Sequence, residues 1–153
     1  MGNNQPRHGG LDPGTSVGKI YEKDINLAIS KELKLELNKL GADVILTRDG
    51  DYDIASPDSY WRKRSDFDNR IALINDLKPD LYLSIHQNFL NDSSYYGPQV
   101  FYNKDNKKIA LIIQTHLNKE LKSNREIKNI PSNTYMYSRL KYKGVLIECG
   151  FLS

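Results

Sequence analysis

The stretch Leu81-Tyr82-Leu83-Ser84-Ile85 is an almost unbroken apolar run of strand length, entered from Pro79 and followed directly by His86-Gln87-Asn88. Its lack of polar alternation predicts a strand buried on both faces, the condition of a parallel strand with helices above and below it. The flanks supply those helices. Upstream, residues 60–77 read as a helix that Pro79 brings to an end. A turn-rich loop over residues 49–59, with Gly50 and Pro57, precedes it. Before the loop, residues 43–48 read as a short β-branched strand. Residues 23–40 read as a helix in which Ile25, Ile29, Leu33 and Leu37 recur four apart, with Ala28 and Leu40 on the same stripe and Gly41 as its stop. Downstream, residues 99–102 read as a strand, 107–121 as a third helix and 144–149 as a final apolar strand. Residues 122–142 are polar, with clusters of Asn and Ser, and read as irregular with one short strand or turn. Strands alternating with helices make this an α/β chain, a three-layer α/β/α sandwich around a mainly parallel sheet.

A chain of 153 residues with 39% hydrophobic content has the size of one domain and can bury a core without covalent help. The single cysteine, Cys149, excludes an internal disulfide framework. Its 22 Lys and Arg are interspersed with 19 Asp and Glu, for a net charge of +3, so no footprint for nucleic acid stands out. A charge this small is ordinary for a soluble surface and also suits an anionic polymer. The longest apolar run, residues 109–113, is far short of the roughly 20 residues of a membrane helix, so no membrane span is expected. The opening Met-Gly-Asn-Asn-Gln-Pro-Arg lacks the pattern of a secretory signal.

The three histidines are His8, His86 and His116. His86 directly follows the buried strand, and in parallel sheets ligands collect just past the carboxyl ends of strands. His8 stands beside Gly9 and Gly10, in a segment too rich in Gly and Pro for helix. Glu22 opens the first helix, and Glu148 lies near the end of the last apolar strand, where an unpaired carboxylate is expensive. Two imidazoles and one carboxylate form a recognised catalytic zinc set with a position left for water, and a further carboxylate can shuttle the proton. Each residue also has an ordinary structural reading. His86 can be a hydrogen-bonded end-of-strand residue, Glu22 an acid favoured by the helix macrodipole, and Glu148 the partner of a cation such as Arg125. His116 reads as a helix-flank residue with no ligand role. Cys149 with His86 as base is a further arrangement, opposed by the apolar strand that carries the thiol. There is no His-Glu-x-x-His, Cys-x-x-Cys, Gly-x-Ser-x-Gly or P-loop pattern, which removes several hydrolase and nucleotide-binding classes.

Five segments in order span nearly the whole chain: His8-Gly9-Gly10 with Asp12-Pro13-Gly14; Glu22-Lys23-Asp24-Ile25-Asn26-Leu27-Ala28; Val44-Ile45-Leu46-Thr47-Arg48-Asp49; Ser84-Ile85-His86-Gln87-Asn88; and Glu148-Cys149-Gly150-Phe151-Leu152-Ser153. Together they resemble the successive motifs of the zinc-dependent N-acetylmuramoyl-L-alanine amidases. The resemblance implies one zinc ion held by His8, Glu22 and His86, with Glu148 as the catalytic glutamate and Asn88 as a substrate contact or a turn former. The implied reaction is hydrolysis of the amide between N-acetylmuramic acid and L-alanine in peptidoglycan. The segments Tyr60-Trp61-Arg62-Lys63-Arg64, Gly97-Pro98-Gln99-Val100-Phe101-Tyr102 and Asn124-Arg125 look like the spore-cortex subgroup of sporulation and germination. In that subgroup stem-peptide removal precedes formation of muramic δ-lactam by a separate deacetylase.

The resemblance also implies action outside the cytoplasm, on the wall or cortex side of the membrane, and a regulatory protein partner. The alternative is a non-catalytic, peptidoglycan-binding or partner-dependent scaffold module. Two departures from the family pattern stand out. Family members have a buried strand ending in Asp-Pro-Gly-His, whereas Gln5-Pro6-Arg7-His8 follows only four residues here, and the chain stops at Ser153, where the family continues. Residues 1–153 are therefore expected to be a single catalytic domain trimmed at both ends, lacking its first core strand and leaving the sheet with an unpaired edge.

Overall fold

The structure, a computed structural model, describes residues 2–92 and 94–152, so Met1 and Ser153 at the ends of the quoted segments lie outside the described residues. Strand β1 (Gly2–Pro6) leads through a turn and a small hairpin, β2 (Ser16–Val17) and β3 (Ile20–Tyr21), into the long helix α1 (Glu22–Lys39). There follow β4 (Val44–Leu46), α2 (Arg62–Leu77), β5 (Leu81–Phe89), β6 (Gln99–Tyr102) and α3 (Lys107–Leu121). The chain finishes with β7 (Lys128–Asn129), α4 (Tyr135–Arg139) and β8 (Gly144–Leu152). Six strands form one sheet in the order β4-β1-β5-β8-β6-β7. The first four are parallel, β6 runs antiparallel to β8, and β7 is parallel to β6.

Helices cover both faces, as the unbroken apolar character of β5 requires. On one face Ile85, Val100, Val145 and Ile147 pack with Ala110 of α3 and with Ile29 and Leu33 of α1. On the other, Tyr82 and Leu146 pack with Ile74 of α2 and with Met136 and Tyr137 of α4. Successive residues of β5 and β8 thus serve opposite layers, the period-two rule of a strand. Full burial of a side chain such as Ile74 is worth about 2–3 kcal/mol.

The first core strand is present, against the sequence expectation. Gly2–Pro6 forms β1, and it is interior, paired with β4 on one side and β5 on the other. Its polar sequence hides it because its side chains find polar partners. Asn4 Nδ2 donates to the Ser30 carbonyl, and Ser84 Oγ donates to Gln5 Oε1. Pro6, which has no N–H to give, sits at the strand's last position.

Helix α1 departs in a related way. Its deepest row is Glu22, Asn26 and Ser30, which faces β1, while Ile29 and Leu33 lie to one side and Ala28 and Leu40 are exposed. β5 runs four residues beyond Ile85, and β8 runs on to Leu152. The segment expected to be irregular contains, besides the short strand, α4, whose Met136 and Tyr137 are core.

Candidate metal centre

His8, Glu22 and His86 come from three distant segments that meet at the carboxyl end of the parallel strands. His8 follows β1 in a turn, with a left-handed φ of 60° that a side-chain-bearing residue adopts at a cost on the order of 1 kcal/mol. Glu22 is the first residue of α1, where the helix macrodipole favours a negative charge. His86 lies on β5 just before an irregularity in its pairing with β8. Facing them is Gly14, with φ 68°, where a β-carbon would lie 2.6 Å from Glu22 Oε2 and 2.8 Å from His8 Cδ2.

The Glu22 carboxylate is the hub. Its Oε1 accepts from Asn26 Nδ2 and from the Gln87 backbone N–H, both at 3.2 Å, and its Oε2 accepts from the Thr15 N–H at 3.0 Å. His86 Nδ1 is 3.2 Å from Oε1, and His8 Nε2 is 3.4 Å from Oε2. The two imidazole rings stand edge to face, centroids 5.7 Å apart. Donor atoms of all three residues lie within 4.8 Å of one another. His8 is oriented from behind by Asp12, whose Oδ2 is 2.9 Å from His8 Nδ1.

The electrostatics follow from these contacts. Burial would raise the Glu22 pKa, but hydrogen bonds from His8, His86 and Thr15 outweigh it and hold the group well below the usual carboxylate range. Asp12 is held down to about 2 chiefly by its bond to His8. Burial lowers His86 to about 4, Glu22 opposing and Arg7 assisting, so this imidazole is neutral at physiological pH and able to act as a ligand. For His8, burial works against the charged form, yet the bonds to Asp12 and Glu22 prevail and raise its pKa.

The set fits a divalent cation on its own chemistry. His86 Nε2 is buried without a hydrogen-bond partner among the described residues, an ionised carboxylate stands between two imidazoles, and Gly14 leaves room that any β-carbon would fill. Two histidines and a carboxylate are the protein ligands of one class of catalytic zinc site, with an open fourth position.

Glu148 lies on β8 directly in register with His86. Its Oε2 is buried and has no partner among the described residues, and burial, with the charge of Glu22, pushes its pKa up to about 7. It does not pair with Arg125, whose guanidinium lies over the Phe151 ring, 5.0 Å from the centroid. Cys149 is no nucleophile, because burial and the charge of Glu148 push its thiol up to about 12. Asn88 is two residues beyond His86 on β5, and its Oδ1 accepts from the Phe89 N–H at 2.8 Å. His116 is exposed on α3, where Nδ1 donates to the Ile112 carbonyl, and takes no part.

Sequence reasoning assigns no role to Asp12, Asn26 or Arg48. The available signal for Asn26 is its place one turn after Glu22 on the same helix face. Arg48, almost fully buried, donates to the carbonyls of Arg7, Lys23 and Gly50 and so ties the His8 turn to α1. Nothing in its neighbourhood in the sequence announces that.

Residues 5–153 match the profile of the N-acetylmuramoyl-L-alanine amidase family. Over 97% of its length the chain is 37% identical to a germination-specific N-acetylmuramoyl-L-alanine amidase of Bacillus subtilis, and 34% identical to a probable cell wall amidase, LytH, of Staphylococcus aureus. It spans 65% and 46% of the lengths of these two relatives. Among solved structures, the CwlD amidase of Clostridioides difficile, in complex with the GerS lipoprotein, superposes with a TM-score of 0.90 at 34% identity, covering 98% of this chain and 81% of that one. Fold and sequence together establish that the chain belongs to the N-acetylmuramoyl-L-alanine amidase family.

Proposed function

We propose that this chain is a single catalytic domain that holds one zinc ion and hydrolyses the amide between N-acetylmuramic acid and L-alanine in peptidoglycan. The observation that carries the reading is the placement of Glu148, an unpaired carboxylate in register with His86 and beside the His8–Glu22–His86 cluster. His8, Glu22 and His86 would hold the ion, with Asp12 fixing the orientation of His8. Zinc, when bound, supplies Lewis acidity toward the scissile carbonyl and lowers the pKa of water.

The chain's own residues do the rest. Glu148 accepts the proton of the attacking water and, as the amide C–N bond breaks, returns it to the L-alanine nitrogen that leaves as an amine. A group with a pKa near 7 suits both transfers. Asn88 has its side-chain oxygen engaged by the Phe89 N–H, and its side-chain amide N–H groups serve as the substrate contact.

The germination-specific relative supports a role in germination, and the reading we attach to that role is action on spore cortex, outside the cytoplasm, ahead of muramic δ-lactam formation. The lipoprotein complex of the similar clostridial amidase supports a protein partner for this chain as well.

The test is zinc content by elemental analysis, together with release of stem peptides from purified peptidoglycan. Wild type and Glu148→Gln are expected to hold near-stoichiometric zinc, and His8→Ala, Glu22→Ala and His86→Ala to lose it, with only wild type active. Wild type that takes up no zinc when supplied, or that binds peptidoglycan without releasing peptide, makes the chain a binding module instead.

A further inference from the structure

Beside His8 lies a cleft of about 260 Å³, floored by Asp12 and Asp66. Arg62 and Lys63 at the start of α2 form its outer wall, and the same two residues form the inner wall of a broader cleft of about 530 Å³. Tyr60, Trp61, Phe67 and Tyr135 line that second cleft, so an aromatic cleft adjoins the one beside the candidate metal centre, the two meeting at Arg62 and Lys63.

Two features of the groove call for a ligand. Tyr60 and Trp61 are 88% and 72% exposed, although their rings meet edge to face at 5.2 Å. Adjacent exposed aromatics at the rim of a cleft mark binding surface more often than core. The cations around them are unequally committed. Arg62 is bound to Asp53, and Arg64 is bound to Asp68 with its guanidinium stacked 3.5 Å from the Tyr135 centroid. Lys63, at the junction of the two clefts, has no ion pair among the described residues, and its charge reaches inward as far as Asp12.

We propose that the outer cleft is a subsite for the glycan strand of peptidoglycan. Trp61 carries the apolar face of one hexosamine ring, and Lys63 receives a carboxylate from a neighbouring lactyl or stem-peptide group. The choice of polymer rests on the amidase reading. A substrate that is one bond in a long polymer cannot end inside the inner cleft, and the outer cleft adjoins it across Arg62 and Lys63. Flat aromatic surface provides rigid contact area at little entropic cost, while a sugar's hydroxyls stay within reach of the flanking guanidinium and ammonium groups.

Trp61 is the chain's one tryptophan, so the fluorescence of the whole protein reads this position. Titrating metal-free protein with short, soluble, peptide-free glycan strands is expected to shift the emission saturably. The affinity should fall about 10-fold in Lys63→Glu, a change of about 1.4 kcal/mol. Binding of Trp61→Ala to insoluble peptidoglycan, followed by sedimentation, should weaken by a similar factor, and a side chain so exposed can be removed without threatening the fold. A silent Trp61 in the presence of millimolar glycan overturns the subsite, as does an emission change seen with a protein partner but not with glycan. Since neither assay needs hydrolysis, strand binding without turnover would retire the amidase reading and keep the subsite. Turnover with a silent Trp61 would do the reverse.

Discussion

At the scale of single residues, Glu148 and His86 pull the pH dependence of stability in opposite directions. Glu148 keeps its proton up to about pH 7 in the folded chain but releases it near 4.5 when unfolded, so between those values the native state holds the extra proton and stability falls as pH rises. His86 is neutral in the fold down to about pH 4 but protonates near 6.5 when unfolded, so over its window stability rises with pH. In the wild type the two slopes largely overlap and mask each other. Glu148→Gln removes one of them. In metal-free protein that variant is expected to be more stable than wild type above pH 7 by about 2–3 kcal/mol, the advantage vanishing below about pH 4.5. Urea unfolding in chelator at the two ends of the range measures it, and a constant difference would contradict the burial of an unpaired carboxylate. With zinc restored, the same variant should lose about 10²–10⁴-fold in turnover while keeping its metal. Gly14→Ala tests the cavity among the ligands. Its methyl would press on Glu22 and His8, and zinc affinity measured by competition is expected to drop about 10–100-fold.

At the scale of elements, β1 and β8 show where sequence patterns succeed and fail. β5, β6, α3 and β8 are legible because an apolar run or a 3.6-residue period reports burial directly. β1 is illegible because its burial is satisfied by amide hydrogen bonds rather than by apolar contact, and α4 because five residues are too few to show a helical period. The candidate cluster of His8, Glu22 and His86 was readable as residue types at element ends. The bonds that orient it, from Asp12, Asn26 and the backbone of Thr15 and Gln87, depend on how those ends meet in space. β1 also carries an imperfection, since Asn4 Oδ1 and Gln5 Nε2 are buried without partners among the described residues. Asn4→Val removes one such atom but also breaks the buried bond to the Ser30 carbonyl, and thermal unfolding should show it destabilised by about 1 kcal/mol. Gly144→Ala should destabilise as well. A β-carbon at the start of β8 would lie 2.3 Å from the fully buried Tyr82 ring, and a loss of about 1–3 kcal/mol in urea unfolding is expected.

For the molecule as a whole, a cation held by residues 8, 22 and 86 would bind the folded chain far better than the unfolded one, since only the fold brings the three together. Zinc at about 100 times its dissociation constant should add about 2.7 kcal/mol, or roughly 5–10 °C in Tm at this size, and the increment should be absent in His86→Ala. Scanning calorimetry with and without chelator decides the point. The direction of β1 has a practical corollary for how the molecule can be held. Gly2 pairs with Leu81, whereas the cluster lies level with His86, so the start of β1 and the cluster are separated along the strands by roughly 15 Å. The last strand, in contrast, runs past Glu148 to Leu152. A tether, bead or surface joined beside Gly2 would therefore leave the cluster facing outward, while one joined beside Leu152 would sit at the cluster's own end of the sheet.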